Sequence, residues 1–186
     1  MEKSASPPNT SAKKADRAEQ FVTWLLEKIN KDKGVAARLR RADNPATEYQ
    51  SWDLLAAFGV DLTNEYQRLP YAVLSAAMAR AKAERNGSLS LGQALAIAYG
   101  GNDSDPAQAR MRRLLACRSV SELCRVLRPL LTLIDSKQSQ PLDYVRLLNQ
   151  LTRFGKSDDM AQRVKSEWAM EFYRKSEEQD SSEVVT

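Results

Sequence analysis

From residue 16 to residue 175, apolar side chains recur at intervals of three and four, and no stretch alternates apolar with polar. That spacing lines one face of a helix and cannot line one face of a strand, so the chain is expected to be all-α. The clearest case is Val120, Leu123, Cys124, Leu127, Leu131 and Ile134, at i, i+3, i+4, i+7, i+11 and i+14. Ser119-Val120-Ser121-Glu122 precedes them as a capping box. Pro129 lies inside the pattern, which predicts a helix kinked or split near Arg128. Glycine, the residue that most loosens a helix apart from proline, supplies only 7 of 186 positions.

Caps and breakers divide this pattern into about nine helices. Residues 16–31 carry Phe21, Trp24, Leu25 and Ile29 on one stripe, and a short helix covers 34–42. Asn44-Pro45 reads as N-cap and N1 of a helix reaching Phe58, where Gly59 stops it. Leu69-Pro70 opens a helix with Val73, Leu74, Ala77, Met78 and Ala81 inward, and Asn86-Gly87 closes it. Ser90 caps residues 91–99. Asp105-Pro106 opens a helix to about Cys117, Pro141 opens one to Phe154, and Ser157 caps the last, to about Lys175. The polar break 100–105 is the strongest internal boundary. It suggests two small bundles, 15–102 and 103–176, with a single bundle as the alternative. Residues 1–14 and 177–186 are expected to be disordered tails, the second acidic.

The chain has no histidine. Imidazole acid–base catalysis, Ser-His and Cys-His pairs and His-containing metal sites are therefore excluded. Cys117 and Cys124 are too few for a thiolate cage and are expected to be buried, reduced thiols. Asp103/Asp105 and Asp158/Asp159 sit where helix starts favour acids, which accounts for them without a metal. No cofactor and no catalytic activity are expected. No apolar run approaches the roughly 20 residues a membrane helix needs, and residues 1–15 have no apolar signal core. A cytoplasmic protein is the expectation.

The charge is unevenly spread. Residues 101–156 hold 10 Lys+Arg against 5 Asp+Glu, while 157–186 hold 4 against 8. The densest block has Arg110, Arg112, Arg113, Arg118, Arg125 and Arg128 against Glu122 alone. Arginine forks suit phosphate oxygens, so this block reads as a nucleic-acid footprint. Helix spacing places Arg110 and Arg113 on one face, turns Arg112 elsewhere, and puts Arg125 and Arg128 on the outer face of the following helix. Arg146, Asn149, Arg153 and Lys156 form a further polar stripe. No aromatic side chain interleaves with these cations; Tyr144 and Phe154, the nearest, are expected in the core. The pattern supports grip on a backbone rather than base reading. An acidic protein partner for the basic face, in a helical adaptor, is the alternative.

Residues 36–42 (AARLRRA), 90–96 (SLGQALA), 112–131 (RRLLACRSVSELCRVLRPLL) and 142–156 (LDYVRLLNQLTRFGK) resemble, in order, the CasB family. That family is the small subunit of the type I-E CRISPR effector complex, Cascade. The resemblance covers about residues 16–172. It implies an all-helical protein with N- and C-terminal bundles, set as two copies head to tail beside the large and backbone subunits. Such a subunit would help hold the guide RNA–target DNA hybrid and the displaced strand of the R-loop. By motif, Arg40 and Arg41 match the family's paired arginines, Arg112, Arg113 and Arg118 its basic run, Arg125 and Arg128 the next helix, and Lys156 its Gly-Lys turn. Residues 60–64 lack the basic residue that members often carry after the Phe-Gly turn.

Overall fold

The computed structural model describes residues 16–174. Among them are α1 (Arg17–Lys31), α2 (Lys33–Arg41), a 3-10 helix (Pro45–Ser51), α3 (Trp52–Ala57), α4 (Glu65–Arg80) and α5 (Leu91–Ala98). They continue as α6 (Asp105–Ala116), α7 (Val120–Lys137), α8 (Tyr144–Phe154) and α9 (Asp158–Tyr173). The described residues are thus all-α; their one β feature is an isolated parallel bridge, Leu89 to Leu142. The tails expected at 1–14 and 177–186 lie outside the described residues, as does Lys175.

α4 organises the rest. Every residue from Pro70 to Ala79 is buried, and a helix apolar on all sides must be surrounded. Four alanines along this stretch let neighbours approach closely, and α2, α7 and α8 pack against it. α5 pairs mainly with α9. Gly92 sets that distance: a Cβ there would fall 2.6 Å from Phe172 N, Trp168 O and Glu171 Cβ. The boundary expected near residue 103 falls in the turn between α5 and α6, and apolar packing runs across it as one connected cluster.

Element ends differ from the sequence pattern where hydrogen bonds intervene. Residues 45–58 form two pieces rather than one helix. In a 3-10 turn residues three apart eclipse, and here Glu48 and Ser51 both face inward; Glu48 is drawn in by arginines described below. α4 begins before Leu69-Pro70 because Asn64 Oδ1 accepts from Tyr66 N at 3.0 Å, leaving Pro70 inside the helix. It ends well before Asn86-Gly87 through Lys82, whose φ is +49°, while Ala83 N donates to Met78 O at 3.0 Å. That closure is ordinarily glycine's. α6 is capped by Ser104, one residue earlier than expected. α7 runs unbroken through Pro129, whose ring lies on the exposed side of the helix.

Pro141 opens no helix. Residues 141–143 run extended beside 87–89, with Gly87 N donating to Leu142 O at 2.8 Å and Asp143 N to Leu89 O at 2.9 Å. A Cβ on Gly87 would lie 1.8 Å from Pro141 O, so only glycine fits. Asp143 caps α8 instead. Asn86 Oδ1 assists by accepting from Tyr144 N at 2.7 Å and Val145 N at 3.2 Å.

Candidate nucleic-acid interface

Cys117 closes α6 and is fully buried, its thiol donating to Arg113 O at 3.4 Å. Burial, with Glu122 nearby, pushes this thiol up, while Lys165, Arg113 and Arg125 pull the other way. Cations from α6, α7 and α9 therefore gather around one buried side chain. Arg118 lies in the turn between α6 and α7. Ser119 Oγ accepts from Glu122 N at 3.2 Å, and Glu122 Oε2 reaches back to Arg118 N at 2.9 Å. The capping box thus closes one residue earlier than the usual pattern, and the only acid of the block is tied to backbone.

The turn after α8 meets the same end of the bundle. Gly155 lies so close to α7 that a Cβ would sit 2.9 Å from Val120 Cγ2, which sets Lys156 beside the α6–α7 turn. Lys165 Nζ stands 5.7 Å from the centre of the Phe154 ring. Arg113, Arg118, Arg125, Lys156 and Lys165 thus share one end of the molecule. All but half-buried Lys165 are exposed, and none forms an ion pair with a described residue. Lys165 escapes the sequence reading because it belongs to a net-acidic segment; its signal is its place next to buried Val164.

The other candidates are dispersed. Arg110 and Arg113 flank a groove of about 200 Å³ floored by Val126, Pro129, Leu130 and Leu133, and Arg110 Nε donates to the Tyr99 hydroxyl at 3.2 Å. Arg112 turns away, its guanidinium 3.5 Å from Gln108 Oε1 one turn back. Arg40 and Arg41 end α2, both exposed, near Ala79 O and Gln50 Oε1 respectively.

Arg128 corrects the reading of the outer face. It is 8% exposed. Its Nη2 donates to Glu48 Oε2 at 2.8 Å, and its Nη1 bonds to the carbonyls of Ala42 and Asp43. Arg68 meets the other Glu48 oxygen at 3.1 Å, and Arg80 pairs with Asp43. The guanidinium is committed inside the molecule, and its position on the flank of α7, next to the α2–3-10 turn, is the reason. Cys124 lies on this helix too, and burial pushes its thiol up to about 12. Both thiols are free and buried.

The polar stripe on α8 also divides. Arg146 pairs with Glu171 at 2.6 Å and Arg153 with Glu167 through two bonds, 2.9 and 2.6 Å. Between them Gln150 bridges both acids and accepts from Trp168 Nε1 at 2.8 Å. Glu171 further accepts from Gly92 N at the start of α5, where a carboxylate is favoured. Arg153 holds the Glu167 carboxyl below its ordinary range. Asn149 instead bonds Asp16, on the α1 side.

The family model for CRISPR-associated protein Cse2 matches residues 35–173. The chain belongs to the Cse2 family. Membership makes it a CasB (Cse2) protein of the type I-E CRISPR systems and a CRISPR Cascade subunit. The fold is shared with the crystal structure of CasB from M. ruber, at 24% identity and TM-score 0.66, covering 87% of this chain and 94% of that one. CasB from Thermobifida fusca gives 22% and 0.63, covering 84% and 96%. The Cse2-family protein of Thermus thermophilus gives 22% and 0.65, covering 84% and 97%. No curated protein matches the sequence significantly. The Cse2 match contains every candidate cation from Arg40 to Lys156 as well as Lys165, while all of α1 precedes it.

Proposed function

We propose that this Cse2-family chain is the non-catalytic small subunit of Cascade and grips nucleic-acid backbone without reading sequence. It steadies the guide RNA–target DNA hybrid and the displaced strand. The observation that carries this reading is the gathering of Arg113, Arg118, Arg125, Lys156 and Lys165 from three helices and two turns, with no ion pair to any described acid. R-loop formation exchanges one duplex for another at near balance, so backbone contacts alone can tip it. Sequence is read by base pairing, and a subunit with phosphate contacts only suffices. In this reading the protein works in the cytoplasm beside the large and backbone subunits, with a second copy head to tail.

A gel shift tests it directly. A guide-loaded effector core lacking its small subunit is titrated onto target duplex at two salt concentrations, with and without this protein. The protein tightens target binding, and less so at the higher salt. No change and no co-migration would sink the reading. Reversing Arg113, Arg118 and Arg125 to Glu should abolish the tightening; Arg128 is not reversed with them, because its bonds to Glu48 and to backbone carbonyls hold the fold. The apolar floor between Arg110 and Arg113 favours a second reading for that groove, an acidic, apolar segment of a partner subunit; Val126→Asp would then release a partner protein and leave nucleic-acid binding unchanged.

A further inference from the structure

A second feature adjoins the basic end and is not accounted for by phosphate grip. A cleft of about 460 Å³ opens between the starts of α1 and α4 and the end of α8, a size within the range of small-molecule sites. Tyr66 stands in it, 59% exposed. The ring is not loose: its backbone is capped by Asn64, and a Cβ on Gly155 would come within 3.2 Å of Tyr66 Cδ1. The glycine backbone therefore supports one side of the ring while the rest meets water.

Two cations line the same cleft as this ring. Arg17 is held in place by a 2.7 Å bond from Nη2 to Gly59 O and by the Phe58 ring, 5.8 Å from its guanidinium carbon. It forms no ion pair with a described residue, so N–H groups remain for an anion. Lys156, exposed in the turn after α8, belongs both to this cleft and to the basic end. The Gln67 and Asn149 amides line the wall, and the acid present, Asp16, is engaged by Asn149.

We infer that this cleft takes an unpaired nucleobase stacked on Tyr66, its flanking phosphates held by Arg17 and Lys156. The inference rests on the backbone-gripping reading above and deepens it, naming single-stranded nucleic acid as the ligand. A supported, solvent-facing ring with two cations in the same cleft suits a base that has a free π-face; a base within a duplex offers none. A strand tracked along Arg118 and Lys156 would enter the cleft directly.

The first test needs no variant. The full chain is assembled with guide-loaded core and a target whose displaced strand carries 5-iodouridine at successive positions, then irradiated. A crosslink at Tyr66, mapped by peptide mass, is the expected result; crosslinks confined to other residues at all positions overturn the inference. The second test measures binding of the full chain to oligothymidylate and to an abasic oligomer of equal length. Tyr66→Ala weakens the first about tenfold and leaves the second unchanged, while Tyr66→Trp stays near the parent protein. Equal loss on both oligomers, or no loss on either, overturns the stacking site. Reversing Arg113, Arg118 and Arg125 to Glu weakens both. If only the reversals act, the base site fails and the backbone reading stands; if only Tyr66→Ala acts, the reverse holds. Detachment of the Tyr66→Ala chain from the other subunits with oligomer binding intact would make the cleft a protein contact and overturn the inference.

Discussion

Arg125 and Arg128 stand one turn apart on α7 with the same chemistry, yet one lies in water near Arg113 and Lys165 and the other reaches Glu48 and two backbone carbonyls. A guanidinium can be buried only if acceptors fill its fork, since its desolvation costs several kcal/mol. Glu48, Asp43 and the Ala42–Asp43 carbonyls do this for Arg128. Around Arg125 the reverse holds: like charges gather, none is in an ion pair with a described acid, and the carboxylate among them, Glu122, is engaged by the Arg118 backbone. A folded chain tolerates such crowding where an outside anion completes the arrangement. The difference between the two arginines separates what holds the fold from what is available to a partner.

Arg128→Ala should cost the molecule most. It leaves Glu48 with Arg68 alone and takes the guanidinium donor from the carbonyls of Ala42 and Asp43, costing about 3 kcal/mol of stability in urea unfolding. A loss below about 1 kcal/mol would mean the network is ornamental. Next in size, reversing Arg113, Arg118 and Arg125 to Glu lowers R-loop affinity about a hundredfold at low salt. The melting temperature stays near that of the parent protein, since exposed substitutions rarely exceed about 0.5 kcal/mol. Arg125→Ala alone flattens the salt dependence by about one phosphate's worth, a log–log slope change of about 0.9 on duplex; an unchanged slope would remove Arg125 from the interface.

The α8–α9 pairs fall between the two extremes. Bonding to Arg153 lowers the Glu167 carboxyl in the folded state. Its contribution is therefore complete above the unfolded value of 4.5 and is lost as pH falls below it. Arg153→Gln should remove less than about 1 kcal/mol at neutral pH, because both side chains are a third exposed. Acid titration of unfolding would then show a shallower slope below about pH 4.5 than the parent protein does.

The helical class and the buried stripes were legible because each follows from local spacing: Phe21, Leu25 and Ile29 face inward as their intervals require. Ser90, Ser119 and Ser157 cap where they stand in the sequence. What stayed hidden depends on residues far apart in the chain. Lys82 ends α4 in a conformation that sequence assigns to glycine. Glu48 looks like a surface acid until Arg128, 80 residues on, meets it. The basic end was legible at Arg113, Arg118 and Arg125. Lys165 joins it only through packing of α9, and Arg146 and Arg153 are neutralised by acids on a helix that spacing alone cannot place opposite them.

Asn86 supplies hydrogen-bond acceptors to the first turn of α8 from 58 and 59 positions earlier in the chain. One half of the polypeptide thereby carries a finishing piece for a helix of the other. Two fragments cut in the polar break at residue 103 should each lack what the other provides and regain native amide-exchange protection at Tyr144 and Val145 only on mixing. That outcome would mean that the two halves open together, so that loosening one also loosens the basic end carried by the other.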